Sequence, residues 1–158
     1  GGIPMADMPA YIQELLDMIE WANGDPATNK WAKMRADAGH PAPFNLKYIG
    51  IGNEDLFSTV FEERYEMICK AIRQKYPEIK ICGTVGPFHT PSADYLEGWD
   101  FTKKDQDLQY MVDEHYYEST GWFMHHRNYY DSYDRKSAKV YLGEYAASTQ
   151  MKRPNVET

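Results

Sequence analysis

Two glutamates follow short apolar segments at widely separated points of the chain. Glu54 comes after "KYIGIGN", Glu144 comes after "VYLG", and the polar group "DEHYY" (residues 113–117) ends a further apolar segment. The carboxyl ends of parallel strands meet at one edge of a sheet, and barrel enzymes build their active sites there. Two carboxyl groups at that edge could hydrolyse a glycosidic bond, because one protonates the leaving oxygen while the other attacks the anomeric carbon.

A glutamate at a strand end also has a simpler explanation. It is commonly a solvated residue, or an acidic residue that stabilises the N-terminus of the next helix. Asp55 fits this explanation better than it fits catalysis, and for Glu54 both explanations are open. The combination of Glu54 with Glu144, rather than either residue alone, therefore favours catalysis.

Helical and strand patterns alternate along the chain. The helical spacing of apolar residues predicts helices over 9–23 and 58–76, and a third helical segment over 119–133. Apolar runs predict strands over 46–52, 79–85, 108–117 and 138–145. Residues 24–45, 86–104 and the tail after Ser148 are predicted to be irregular. Thr59 and Glu62 are expected to form a capping box at the start of the second helix.

The alternation predicts a fold class. Strand ends about 30 residues apart are typical of parallel βα units with right-handed crossovers. No glycine-rich loop of the G-x-G-x-x-G type follows a predicted strand, which disfavours a nucleotide-binding doubly wound sheet. We therefore predict an α/β fold of the (β/α)8 TIM-barrel type. Four strands make about half of such a barrel, so either the barrel is incomplete or another chain completes it.

Composition disfavours several other classes of protein. A net charge of −7 argues against nucleic acid or an anionic membrane as a partner, and no apolar run approaches the roughly 20 residues that cross a bilayer. Cys69 and Cys82 are too few for a disulfide scaffold or a cysteine-rich zinc site, and we expect two buried thiols. Neighbouring residues on a strand point to opposite faces, so Asp113, Glu114 and His115 are not expected to bind a metal together.

Two further features leave more than one interpretation. The 13 tyrosines and 4 tryptophans suit a sugar-binding surface, and they suit an aromatic core equally well. The chain starts with "GGIPMADMP", in which no signal peptide is apparent. The sequence is therefore compatible with a periplasmic, secreted or cytoplasmic protein.

The quoted segments resemble a known family when they are taken together. "WANGD", "MRADAGHPAPFNLKYIGIGNED", "DEHYY" and "VYLGEYA" resemble the family 51 glycoside hydrolases, the α-L-arabinofuranosidases, over residues 11–147. The resemblance implies that Glu54 is the general acid/base and that Glu144 is the nucleophile. It also implies that Asn53 bonds the sugar 2-hydroxyl, and that His115 and Tyr117 reach the substrate.

The resemblance further implies that residues 1–158 are one partial catalytic domain holding barrel strands four to seven. The other barrel strands and a β-sandwich domain of the family are then outside this chain. The expected substrate is an arabinofuranose-containing carbohydrate, with no cofactor or metal, and the half-barrel would self-associate or pair with the missing strands. Two alternatives are another retaining barrel glycosidase, such as an endoglucanase or xylanase, and an inactive carbohydrate-binding or assembly segment.

Overall fold

The computed structural model describes residues 2–86, 92–105 and 108–147. The helices are α1 (Met8–Asn23), α2 (Lys30–Asp37), α3 (Thr59–Lys75), α4 (Ala93–Lys104) and α5 (Thr120–His125). The strands are β1 (Tyr48–Gly50), β2 (Lys80–Thr84), β3 (Met111–Glu118) and β4 (Lys139–Ala147), and short 3-10 turns lie at Met5–Asp7 and Tyr129–Ser132. The chain forms two compact units. The first comprises Ser58–Lys80 and the chain up to Ile49, and the second comprises Gly50–Phe57 and the chain from Ile81 onward.

The four strands form one sheet in the order β1-β2-β3-β4. β3 pairs in parallel with both β2 and β4, and the Ile51 N–H beyond β1 donates to the Cys82 carbonyl oxygen on β2 (2.9 Å). A doubly wound sheet reverses its strand order at a switch point, whereas a barrel adds each strand on the same side. The predicted half-barrel of parallel strands with intervening helices is therefore confirmed.

The two helices with a clear apolar stripe lie where the sequence predicts them. α1 begins one residue before its predicted range, and α3 is one residue shorter than predicted at each end. On α3 the stripe is buried, and it consists of Tyr65, Ile68, Cys69 and Ile72. The predicted capping box is wrong in its position, because the N-cap is Ser58 and its hydroxyl accepts the Phe61 N–H (3.2 Å).

The two segments predicted as loops contain helices, so that prediction is wrong for α2 and α4. α2 buries only Ala32 and Arg35, and it starts because the Asn29 side chain accepts the N–H groups of the next turn. α4 likewise starts at a cap, Ser92. The third predicted helical segment is helical only in part, since α5 ends at His125. The tail after Ser148 lies outside the described residues.

Apolar packing supports the strands of the second unit. Val85, Tyr95, Trp99 and Val112 form a buried cluster, and Val140 packs against it from β4. The cluster thus covers the helix-facing side of β3 and β4 and leaves their other side to the polar residues.

No helix within the described residues is long and apolar enough to cross a membrane.

Both cysteines are free and buried, as the sequence predicts. Cys69 lies on α3 and Cys82 on β2. Burial, with a smaller contribution from the charge of Asp113, raises the pKa of the Cys82 thiol to about 12. That thiol is therefore neutral at physiological pH and serves as a packing residue.

Arg35 is a fully buried cation that the first unit holds with backbone oxygens. Its guanidinium donates to the carbonyl oxygens of Trp21, Ala22, Gly24, His40 and Pro41, at distances between 2.8 and 3.2 Å. These bonds join the end of α1, α2 and the segment that follows α2. The planar five-donor geometry suits this role and a single ammonium does not.

We expect Arg35→Lys to lower the free energy of unfolding by about 3 kcal/mol, because several buried carbonyl oxygens lose their donor. Urea denaturation followed by circular dichroism measures this change. Arg135→Lys is the matched control, since the Arg135 side chain is 71% exposed, and it should change stability by less than about 0.5 kcal/mol. Equal stability of the two variants would contradict a structural role for Arg35.

Candidate active site

The loop after β1 holds Glu54 in an unusual backbone conformation. Its φ of 54° lies in the left-handed region, which is costly for a residue with a side chain. The Glu54 N–H donates to the hydroxyl of Thr84 at the end of β2 (3.1 Å). This bond fixes the turn, and the Glu54 side chain stays 35% exposed. Strained backbone of this kind is common at functional sites.

His115 on β3 lies between the carboxylates of three other residues. Its Nδ1 is 2.7 Å from Glu54 Oε1 and 3.8 Å from Glu144 Oε2, and its Nε2 is 3.1 Å from Asp113 Oδ2. The side chain itself is only 3% exposed. A buried imidazole with a carboxylate at each nitrogen is best satisfied when both nitrogens carry a proton.

The electrostatics of His115 agree with that protonation state. Burial alone would lower the pKa of the imidazole, but the hydrogen bonds to Glu54 and Asp113 raise it, and the charges of Asp113 and Glu144 raise it further. The net result is a pKa above the ordinary value of 6.5. The carboxyl groups at the carboxyl ends of the strands therefore favour the protonated form of His115, which donates to Glu54 and Asp113.

This pKa has a consequence for stability. The folded chain binds the His115 proton more tightly than the unfolded chain does. The resulting stabilisation is fully present below about pH 6.5, and it is lost as the pH rises through the raised folded pKa. We expect urea denaturation to show a free energy of unfolding that falls above about pH 6.5, and a smaller fall in His115→Gln.

His125→Gln is the control, because His125 is an exposed histidine near the end of α5. It should reproduce the pH dependence of the native chain. Identical pH dependence in the native chain and in His115→Gln would mean that His115 does not hold an extra proton in the folded state.

Glu144 reaches the same cluster because β4 is irregular. Glu114 pairs with Leu142 but His115 pairs with Glu144, so Gly143 is an extra residue and forms a β-bulge. Strict alternation would place Leu142 and Glu144 on one face, whereas the bulge turns Glu144 toward His115. The Tyr117 hydroxyl then donates to Glu144 Oε2 (2.6 Å), and this bond raises the pKa of Tyr117.

Glu54, His115 and Glu144 each offer a ligand atom within 4.8 Å of the other two. The two carboxylates are thus close enough to act on a single bond, and in retaining glycosidases they lie about 5–5.5 Å apart. The same spacing would admit a divalent cation. In this structure, however, Nδ1 of His115 is hydrogen-bonded to Glu54, and a cation there would have to replace its proton.

The structure brings together four of the five residues that the sequence predicts for the site. Glu54, His115, Tyr117 and Glu144 are joined by the contacts described above. Asn53 lies in the same loop with an exposed side chain, and its backbone N–H donates to the Asp55 carboxylate (2.9 Å). Asn53 forms no side-chain hydrogen bond with the other four.

Two residues of the site are not predicted from the sequence. The sequence raises Asp113 only as a metal ligand, although its position two residues before His115 places both side chains on one face of β3. Thr84 gives no local signal, since its contact with Glu54 joins positions far apart in the chain. Glu114 lies on the opposite face, where it accepts from Trp99 Nε1 (2.8 Å) and the Tyr133 hydroxyl (3.0 Å).

Comparison with known proteins gives consistent matches. A family model described as the α-L-arabinofuranosidase 1 domain matches residues 1–135. The extracellular exo-α-L-arabinofuranosidase of Streptomyces chartreusis is 43% identical over 137 residues, which cover 87% of this chain and 16% of the relative. α-L-Arabinofuranosidase 1 of Arabidopsis thaliana is 34% identical over 150 residues, which cover 92% of this chain and 20% of the relative.

The fold has a counterpart among solved structures. The structure of an arabinose-bound GH51 α-L-arabinofuranosidase matches with a TM-score of 0.75 and 28% sequence identity. The match covers 98% of this chain and 23% of that protein. This chain therefore spans less than a quarter of the length of each protein that it matches here.

Proposed function

Since the matching model covers most of its length, the chain belongs to the α-L-arabinofuranosidase 1 domain family, and we propose that it holds the catalytic glutamates of a retaining α-L-arabinofuranosidase. The observation that carries the proposal is the spacing of the two carboxylates, whose nearest ligand atoms lie within 4.8 Å. Inverting glycosidases separate their carboxyl groups by about 6.5–9.5 Å to admit a water molecule. The shorter spacing favours direct attack by one carboxylate.

In the proposed first step, a Glu144 oxygen attacks the anomeric carbon of a terminal α-L-arabinofuranosyl group. The bond to the leaving oxygen breaks, and that oxygen takes the proton of Glu54, which enters this step as the neutral acid. An arabinosyl ester of Glu144 results. In the second step, water attacks the same carbon and gives a proton to Glu54, and the ester bond to Glu144 breaks. Two inversions release arabinose with its original configuration.

The neighbouring residues fit these roles. Tyr117 donates to Glu144 and so holds the nucleophile in one orientation. His115 donates to Glu54 and stabilises the ionised carboxylate that acts as base in the second step. Asn53, next to Glu54, is available for the sugar 2-hydroxyl. The chemistry needs no cofactor and no metal.

We further propose that β1 to β4 correspond to barrel strands four to seven of the longer family members. Within the described residues, β1 and β4 each have one neighbouring strand, and the remaining strands, or a second copy of the chain, would cover their other edges. The substrate would be an arabinofuranose-containing carbohydrate.

The product of the reaction tests the proposal. The chain is incubated with an aryl α-L-arabinofuranoside and methanol, and NMR identifies the methyl glycoside that forms first. We expect methyl α-L-arabinofuranoside, because a glycosyl-enzyme that forms and breaks by two inversions retains the configuration. The β-anomer would contradict retention.

Other outcomes separate the alternatives. Hydrolysis of xylan or glucan chains, with the arabinofuranoside left intact, would favour an endo-acting relative. Binding of arabinose without any release would favour an inactive carbohydrate-binding segment.

A further inference from the structure

The carboxylate of Asp113 bonds to one residue beside Glu54 and to one residue beside Glu144. Its Oδ2 lies 3.1 Å from His115 Nε2, and its Oδ1 accepts the Gly143 N–H (2.8 Å). His115 binds Glu54, and Gly143 immediately precedes Glu144. Asp113 therefore reaches Glu54 through the His115 ring, and it reaches Glu144 through the neighbouring residue Gly143.

The bond to Gly143 falls on the bulge residue of β4. A bulge leaves one backbone N–H without a partner in the ladder, and here the Asp113 carboxylate accepts it. The approach is close, since a Cβ at position 143 would meet Asp113 Oδ1 at 2.4 Å. Gly143 does not have a positive φ, so this position excludes a side chain because of Asp113 and not because of its own backbone conformation.

The second bond sets the state of His115. A carboxylate at Nε2 requires a proton on that nitrogen, and Nδ1 is then free to donate to Glu54 only if the ring carries a second proton. Asp113 therefore supports the cationic ring between Glu54 and Glu144. The Asp113 side chain is 26% exposed, so solvent weakens this interaction only in part.

We propose that Asp113 is a positioning residue that holds the bulge before Glu144 and the His115 ring beside Glu54 with one carboxylate. Through these two contacts it sets the separation of the two glutamates. It does not touch the reacting atoms. The inference rests on the proposed function for its meaning in catalysis, but the two contacts can be measured without turnover.

Two variants of Asp113 separate the two contacts. Asp113→Asn keeps a carbonyl oxygen that can accept from Gly143 but removes the negative charge beside His115. NMR titration of the His115 ring should then show a pKa lower by about one unit, while amide exchange of Gly143 changes by less than about threefold. Asp113→Ala removes both contacts, so exchange of the Gly143 N–H should also accelerate by about tenfold or more.

Matched variants keep the test decisive. Asp100→Asn, an exposed acid-to-amide change on α4, should alter neither the His115 pKa nor the exchange rate of the Gly143 N–H. Gly143→Ala should lower the His115 pKa in a chain that still has Asp113, because the added Cβ displaces the carboxylate. Gly143→Ala replaces Asp113→Ala as the test if Asp113→Ala does not fold. An unchanged His115 pKa in both Asp113→Asn and Gly143→Ala would overturn the proposal, and so would unchanged Gly143 exchange in a folded Asp113→Ala.

Failure of the proposed function is distinguishable from failure of this inference. If the chain releases no arabinose but both NMR readings change as expected, Asp113 positions the cluster and the proposed function fails. Where turnover is measurable, Asp113→Asn should lower kcat by about tenfold or more with little change in KM, because it misplaces catalytic groups without removing a substrate contact. A change confined to KM would contradict a positioning role.

Discussion

Glu144→Gln is expected to lower kcat on an aryl α-L-arabinofuranoside by about 10⁴-fold or more, since removal of a catalytic nucleophile has effects of this size. The amide keeps the shape of the side chain and can still accept the hydrogen bond from Tyr117. It cannot form the glycosyl ester, because a neutral amide oxygen is a poor nucleophile. Steady-state release of the phenol measures the loss.

Glu97→Gln is the matched control for this substitution. Glu97 is exposed on α4, so the same change of acid to amide should leave turnover unaltered. Glu144→Ala provides an independent test, because added azide can occupy the vacated space and attack in a single displacement. The product would be the β-arabinosyl azide, of inverted configuration. Turnover that survives in Glu144→Gln would assign the nucleophile to another carboxylate.

Glu54→Ala is expected to have an effect that depends on the leaving group. A sugar or alkyl leaving group needs a proton as the bond breaks, so we expect a loss of about 10²–10⁴-fold in kcat/KM. A dinitrophenolate leaves without a proton, so for that substrate the first step should be nearly as fast as in the native chain. Water then attacks the glycosyl-enzyme slowly because the general base is missing. The glycosyl-enzyme therefore accumulates, and dinitrophenolate is released in an initial burst.

Azide distinguishes the acid/base from the nucleophile. In Glu54→Ala, azide needs no general base, so it should attack the accumulated glycosyl-enzyme and restore turnover. The product would be the α-arabinosyl azide, of retained configuration, in contrast to the β-azide of Glu144→Ala. An equal loss for good and poor leaving groups would show that Glu54 positions His115 instead of transferring the proton.

A protonated His115 explains how the site tolerates several carboxyl groups together. Ionised carboxylates that share a site repel one another, and Glu54 becomes ionised once it has given up its proton in the proposed first step. The protonated ring donates to the carboxyl groups of Glu54 and Asp113, and its Nδ1 lies 3.8 Å from Glu144 Oε2, in a nearly buried position where Coulomb interactions are strong. The pH dependence of stability and the effects of Asp113 variants therefore report on the same ionic cluster.

Local patterns determined the parts of the fold that have a strong period. α1 and α3 could be predicted because each has an apolar stripe along one side, and that stripe must be buried whatever lies against it. Neither α2 nor α4 could be predicted in this way. α2 has few apolar residues and is held by the buried Arg35, whose five acceptors belong to other segments. α4 packs Tyr95 and Trp99 against Val112 of β3. Their stability comes from contacts that are distant in sequence.

The same division holds for the site. The sequence by itself determined that Glu54, His115, Tyr117 and Glu144 end parallel strands, because alternation and polarity are local properties. Only the tertiary structure decided how they meet. The bulge at Gly143 turns Glu144 toward His115, and the Asp113 carboxylate bonds to the Gly143 N–H and to the His115 ring. A bulge is a mismatch between two strands, and a pKa depends on the charges that surround a group in space, so neither is a property of any single segment of the chain.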